Sequence, residues 1–163
     1  MTEPSHFTFK VPRYGDLLMD TYLVVTLPDI WSPIYAPVTD NNNTWAPYNF
    51  RWIENIGTHM IKEVSIEIGG QLIDRHKKEW MQVWNELSTP ESKAVGLKAM
   101  QGEIGVPGTH GAATGVGMIQ VPLNFWFCRN PGLALPLIAL QYHEVKLNIT
   151  WRIVPDNSSA LVW

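Results

Sequence analysis

Apolar and polar residues alternate with period two along two stretches of this chain. Ile119, Val121, Leu123, Phe125 and Phe127 are interleaved with Gln120, Pro122, Asn124 and Trp126. Val145, Leu147, Ile149, Trp151 and Ile153 are interleaved with Lys146, Asn148, Thr150 and Arg152. Period two is the repeat of extended backbone, so each stretch predicts a strand with one buried face. The run VSIEIGGQLI from Val64 to Ile73 places Val64, Ile66 and Ile68 on one face and then meets Gly69 and Gly70. Two adjacent glycines tolerate the positive φ angles of a tight turn, so this segment predicts a hairpin. Leu17 to Leu27 is rich in β-formers and stops before Pro28, and Phe7 to Val11 alternates briefly. Both predict further strands.

The period changes once, between Lys77 and Leu87. There Trp80, Val83, Trp84 and Leu87 recur three and four apart, the spacing of one helix face, before Ser88, Thr89 and Pro90 break the pattern. Trp80, Trp84 and Leu87 are the residues expected to hold this helix against the sheet. Proline-rich Pro28 to Asn49 and glycine-rich Gly102 to Gly117 show no regular repeat and read as long loops, which are uncommon unless they serve a function. The whole predicts an all-β, antiparallel β-sandwich in one domain, residues 1–163, with one short helix after the Gly-Gly hairpin. Pattern alone does not choose among sandwich topologies.

Composition narrows the function classes. Apolar types make up 45% of the 163 residues and charged types 17%, a balance that folds. The formal charge is -3 and the twelve Lys and Arg are dispersed, which argues against a phosphate-binding face. Cys128 is the only cysteine, so neither an intrachain disulfide nor a cysteine-based zinc site can form. The first residues lack a basic segment followed by an apolar one, and the run Leu133 to Leu140 is broken by Pro136. That run is far short of the roughly 20 residues of a membrane-spanning helix, so a soluble chain is expected.

Candidate chemistry is sparse. His76 and Glu79, with His59 or His143, could be imagined around a metal, but the histidines are dispersed and basic Arg75, Lys77 and Lys78 crowd His76. Asp74 and Arg75 read as a surface or interface ion pair. Cys128 sits in an apolar strand end with no activating base in sight and reads as a small packed side chain. The glycines after Gly102 match no phosphate-binding fingerprint. No catalytic residue, metal ligand or cofactor site is assigned. Asn-x-Ser/Thr sequons occur at Asn42, Asn148 and Asn157, of which Asn42, in its loop, is the candidate for glycosylation. Trp31, Tyr35, Trp45 and Tyr48 lie in the first long loop, and Trp126 alternates away from its apolar neighbours. These five are candidate interface residues.

Trp52 to Leu87, with its IEIGGQLIDRH and EWMQVWNEL blocks, the later VPLNFWFCRNPGLALPLIALQYHEVKLNI block and the PRYGDLL segment resemble the major capsid proteins of nucleocytoplasmic large DNA viruses. The resemblance covers nearly the whole chain apart from residues 28–49 and 91–118. It implies a jelly roll, the first of two, lacking an opening strand that family members usually carry. It also implies a homotrimeric, pseudo-hexagonal capsomer in an icosahedral shell, with neighbouring capsomers and minor capsid proteins as partners. The implied location is the virion, assembled in the host cytoplasm. A carbohydrate-binding jelly roll, with Trp31 or Trp45 as stacking platform, is the alternative within the same architecture. A cupin-like metal enzyme is disfavoured by the scattered histidines.

Overall fold

The structure is a computed structural model, and it describes residues 5–27, 30–31, 35–37, 45–47, 51–102, 112–113, 118–152 and 161–162. The chain runs through β1 (His6–Lys10), β2 (Leu17–Leu18), β3 (Tyr22–Thr26), β4 (Ile30–Trp31), β5 (Tyr35–Pro37), β6 (Trp45–Pro47) and β7 (Arg51–Trp52). It continues through α1 (Ile56–Met60), β8 (Ile61–Ile68), β9 (Gln71–Lys77), α2 (Lys78–Ser88) and α3 (Glu91–Met100). The remaining elements are β10 (Ala112–Ala113), β11 (Met118–Pro122), β12 (Leu135–Pro136), β13 (Val145–Trp151) and β14 (Leu161–Val162).

β13 organises the larger sheet, whose order is β1-β13-β8-β9 with antiparallel pairing throughout. Val145, Leu147 and Ile149 stand opposite Ile68, Ile66 and Val64 of β8, and Leu147 and Ile149 face Phe9 and Phe7 of β1. Residues paired across a ladder share a face, so these side chains form one apolar surface. Against it lie the β3–β11 ladder, in which Val25 and Leu23 pair with Ile119 and Val121, and the segment that follows β11. Val64, Ile66, Val121, Leu123, Phe125, Phe127, Val145, Leu147 and Ile149 are all buried in the joint core. The Phe125 and Phe127 rings stack at 5.6 Å within it. Two antiparallel layers over one core make the expected sandwich.

Ile119 to Phe127 departs from a single strand. The ladder ends at Pro122, and after Leu123 donates its N–H to the Thr21 carbonyl the chain turns into a 3-10 helix at Trp126–Cys128. The partner strand β3 begins at Tyr22, so the regular ladder stops at Pro122 and the bond to Thr21 is its last. Burial nonetheless alternates through Phe127, because the core selects side-chain direction even where the backbone is irregular. Leu17 to Leu27 is likewise two strands, broken between Leu18 and Tyr22, where the Thr21 hydroxyl bonds the Met19 carbonyl. The first long loop contains short ladders: β5 pairs with β6, and β4 pairs with β10 from the glycine-rich segment.

Two helices were not expected. α1 inserts Ile56, 1% exposed, between Leu27 and Ile119 at one end of the β3–β11 ladder. Five residues are too few to show a helical period. α3 buries no residue fully, and its apolar residues are not gathered on one strong face; Glu91 in its first turn and Lys98 in its last complement the helix dipole.

The hairpin forms as expected, with Gly69 at φ 61° and Gly70 at φ 82°. At Gly69 a Cβ would lie 2.6 Å from Nδ1 of His143, whereas Gly70 faces open space. Gly70→Ala therefore meets only the left-handed backbone penalty, about 1 kcal/mol, while Gly69→Ala adds a clash and loses more, on the order of 2 kcal/mol. Denaturant titration of the two variants checks the ranking.

Candidate interface site

The corner between β9 and α2 gathers the most distinctive side chains among the described residues. A bulge in β9 creates it. Pairing shifts between Ile66 and Glu67, so that Ile66 faces Asp74 while Glu67 faces Leu72. The extra residue, Ile73, re-aims the strand, placing Asp74 opposite Ile66 and His76 opposite Val64, on the core side of the sheet. His76 is 5% exposed and its ring stacks on Phe125 at 4.9 Å. Its Nε2 lies 3.1 Å from Oδ2 of Asp74, and its buried Nδ1 has no hydrogen-bond partner. Burial pushes the imidazole below its ordinary pKa; the Asp74 carboxylate opposes the shift and Arg129 adds to it. The neutral ring therefore donates Nε2–H to Asp74 and keeps an unused lone pair on Nδ1.

The expected Asp74–Arg75 ion pair is replaced. Asp74 bonds His76 and accepts the backbone N–H of Arg75, while the Arg75 side chain lies 4.0 Å from Glu63. Alternation along the strand sends Arg75 to the opposite face, out of reach of Asp74.

α2 starts one residue after Lys77 and packs through Met81, which is fully buried. Around it, Asn85 accepts from Asn124 at 3.0 Å, Gln82 lies 3.3 Å from His59 of α1, and the Arg129 guanidinium sits 4.3 Å over the half-buried Trp84 ring. This corrects the expected packing face. Leu87 is 80% exposed, Val83 51% and Trp80 42%, so Trp80, Val83 and Leu87 form an outward stripe, with Trp80 and Trp84 rings 5.6 Å apart. The period was right, but Met81, lying between the tryptophans, was left off the packed face. An unbranched side chain that fills an irregular gap gives no stronger signal in sequence than that.

Trp126 is half-buried, packs on the core and meets Phe127 edge-on at 5.1 Å, so it is less available than its outward phase suggested. Trp31, Tyr35 and Trp45 have their backbones in β4, β5 and β6, while Tyr48, Asn42 and Asn157 lie outside the described residues. Most of the glycine-rich segment also lies outside them. Asn148 accepts from the Thr8 hydroxyl at 2.8 Å, across the β1–β13 pair. Cys128 is half-buried and burial pushes its thiol pKa up, which suits a packed side chain and not a nucleophile. Fully exposed Tyr14 and Tyr142 were not singled out in the sequence, since a lone Tyr in a turn carries no pattern.

Among the described residues no three His, Cys, Asp or Glu side chains gather into a metal-binding group, and no helix is long and apolar enough to cross a membrane. A cleft of about 250 Å³ between α1, α2 and α3 is lined by polar groups including Asn55, Thr58, Gln82, Asn85 and Gln101, with no aromatic platform. The arrangement offers shape and apolar contact in place of reacting groups.

These features define an antiparallel β-sandwich with an exposed apolar helix face, and comparison with known proteins supplies the family. The chain belongs to the major capsid protein family: residues 3–162 match the family described as "Major capsid protein N-terminus". It is 43% identical over 155 residues to the major capsid protein of Pyramimonas orientalis virus, covering 94% of this chain and 35% of that protein. It is 37% identical over 172 residues to that of Phaeocystis pouchetii virus, covering 91% and 31%. Among solved structures, VP54 of PBCV-1, fitted into a reconstruction of the virophage Sputnik, superposes with a TM-score of 0.68 at 28% identity, covering 90% of this chain and 30% of VP54. The chain thus spans about a third of the length of the relatives it matches. The carbohydrate-binding alternative gains no support from these relatives, which are named as capsid proteins.

If Met81 and not Leu87 anchors α2, Met81→Ala costs about 2–4 kcal/mol and Leu87→Ala less than about 0.5. Chemical denaturation of the two variants measures the difference, and equal losses would restore the face expected from sequence.

Proposed function

We propose that this chain forms the first jelly roll of a structural capsid subunit, acting by shape and self-association. The observation that carries this reading is the family match along residues 3–162, supported by relatives up to 43% identical. The subunit is a homotrimer that meets neighbouring capsomers and minor capsid proteins in the virion, after assembly in the host cytoplasm. A threefold ring closes heterologous contacts on themselves, so each copy presents one surface and receives another. The outward stripe of α2, Trp80, Val83 and Leu87, belongs to those contacts. Large apolar side chains left 42–80% exposed on one face gain free energy when a partner covers them. Trp31, Tyr35, Trp45 and Tyr48 remain candidates for the same role in the first loop.

Light scattering of the purified coat protein reads its mass directly; three copies per particle are expected, and a stable monomer at working concentrations contradicts the assignment. Leu87→Asp combined with Val83→Asp weakens association by at least about tenfold, because two charges are desolvated in the contact. The isolated subunit's melting temperature shifts little, since both positions are exposed.

A further inference from the structure

His76 is a costly way to fill its place beneath the sheet. An apolar ring would stack on Phe125 equally well and would leave no buried nitrogen without a partner. The imidazole is also joined to the α2 face. It lies two residues before Lys78, where the helix begins, and 6.4 Å from the Trp80 ring, which in turn touches Trp84.

We propose that His76 is an acid-operated latch: a second proton on its ring loosens the β9–α2 corner, so that contacts between copies made through the α2 stripe weaken on acidification. This rests on the capsid-subunit reading above. In the neutral state Nε2–H is spent on Asp74 and the ring lies flat against Phe125. The second proton must go to Nδ1, which is buried and has no acceptor. It becomes an unsatisfied donor carrying part of a positive charge. Relief requires the ring to swing out, and the first turn of α2 moves with it.

The surrounding charges set the balance. Asp74, on the same face of β9, favours the cation, as does the face of Phe125. Arg129, from the segment after β11, opposes it, and burial opposes it more strongly. Arg75 and Lys77 project to the other side of the strand, where Arg75 meets Glu63 of β8. β8 presents apolar Val64 opposite the ring, and α2 brings Lys78, Glu79 and Trp80 at its start. Because the folded-state pKa lies below the unfolded one, the loosened state takes the proton first. Stability of the corner falls as pH drops below about 6.5 and the loss is complete once the folded-state value is passed. Glu144 is held below the usual carboxylate range by Lys10 and Lys146. His59 shifts in the same direction through burial and the nearby Lys78 and Arg152, so the readout must be resolved by site.

Side-chain nitrogen NMR of the histidines, followed against pH on the full chain, tests the latch together with light scattering of the assembled protein at about pH 7.5 and about pH 5.5. His76 should titrate below the free imidazole, and the assembled wild-type fraction should fall at least about twofold across that interval while His76→Gln keeps its assembly. Should His76→Gln not fold, Asp74→Asn serves instead: it removes the group that favours the cation, so the His76 midpoint drops further and acid loss of assembly grows. A His76 midpoint at or above the free value, or equal acid loss in wild type and variant, overturns the latch alone. A chain that stays monomeric at every pH overturns the reading of function beneath it.

Discussion

Everything in this structure depends on β13 lying between β1 and β8. These strands are distant in sequence, yet their shared face supplies one wall of the core through Val145, Leu147 and Ile149. Without that ladder, Val64 and Ile66 lose their neighbours, and Phe125 and Phe127 lose the surface they pack against. Because the β1–β13 pairing closes a loop of more than a hundred residues, its entropic cost is met only when the apolar face is buried at the same time. Edge chemistry follows from the same arrangement. Lys10 and Lys146 stand directly opposite each other, and the exposed Glu144 bonds both, relieving a like-charge pair at the end of the β1–β13 ladder.

The second consequence is where α2 sits. The bulge at Ile73 turns Asp74 and His76 inward, and the chain leaves β9 as a helix resting on Met81. Asn85, Gln82 and Trp84 fix its flanks through Asn124, His59 and Arg129. What remains uncovered includes the apolar stripe of Trp80, Val83 and Leu87, beside exposed Glu79 and Glu86. A capsid subunit needs such a face held rigidly, because contacts between copies gain most when the side chains that make them are already ordered.

Much of the sandwich was legible in sequence because it rests on local periodicity. The alternation at Ile119 to Phe127 and Val145 to Ile153 identified buried faces even where the first segment leaves the strand; Ile153 itself lies outside the described residues. Gly69 and Gly70 marked their turn because few other residues accept those φ angles. α1 was too short to announce itself, and in α3 the apolar residues are spread around the helix with no single strong face. The helix face was misplaced because spacing identifies a stripe without saying which side of it meets the core. The bulge was invisible for a related reason: one extra residue changes which side chains point inward without altering composition, so nothing in the sequence marked His76 as a core residue. The coat-protein assignment came from resemblance, and no periodicity would have supplied it.

The claim at the centre is that the apolar stripe of α2 is covered by another subunit. Hydroxyl-radical footprinting of the assembled particle against the isolated chain addresses it residue by residue. Trp80, Val83 and Leu87 should lose reactivity on assembly while exposed Tyr14, outside the stripe, serves as a reference. Unchanged oxidation of all three stripe residues in an intact particle would contradict it.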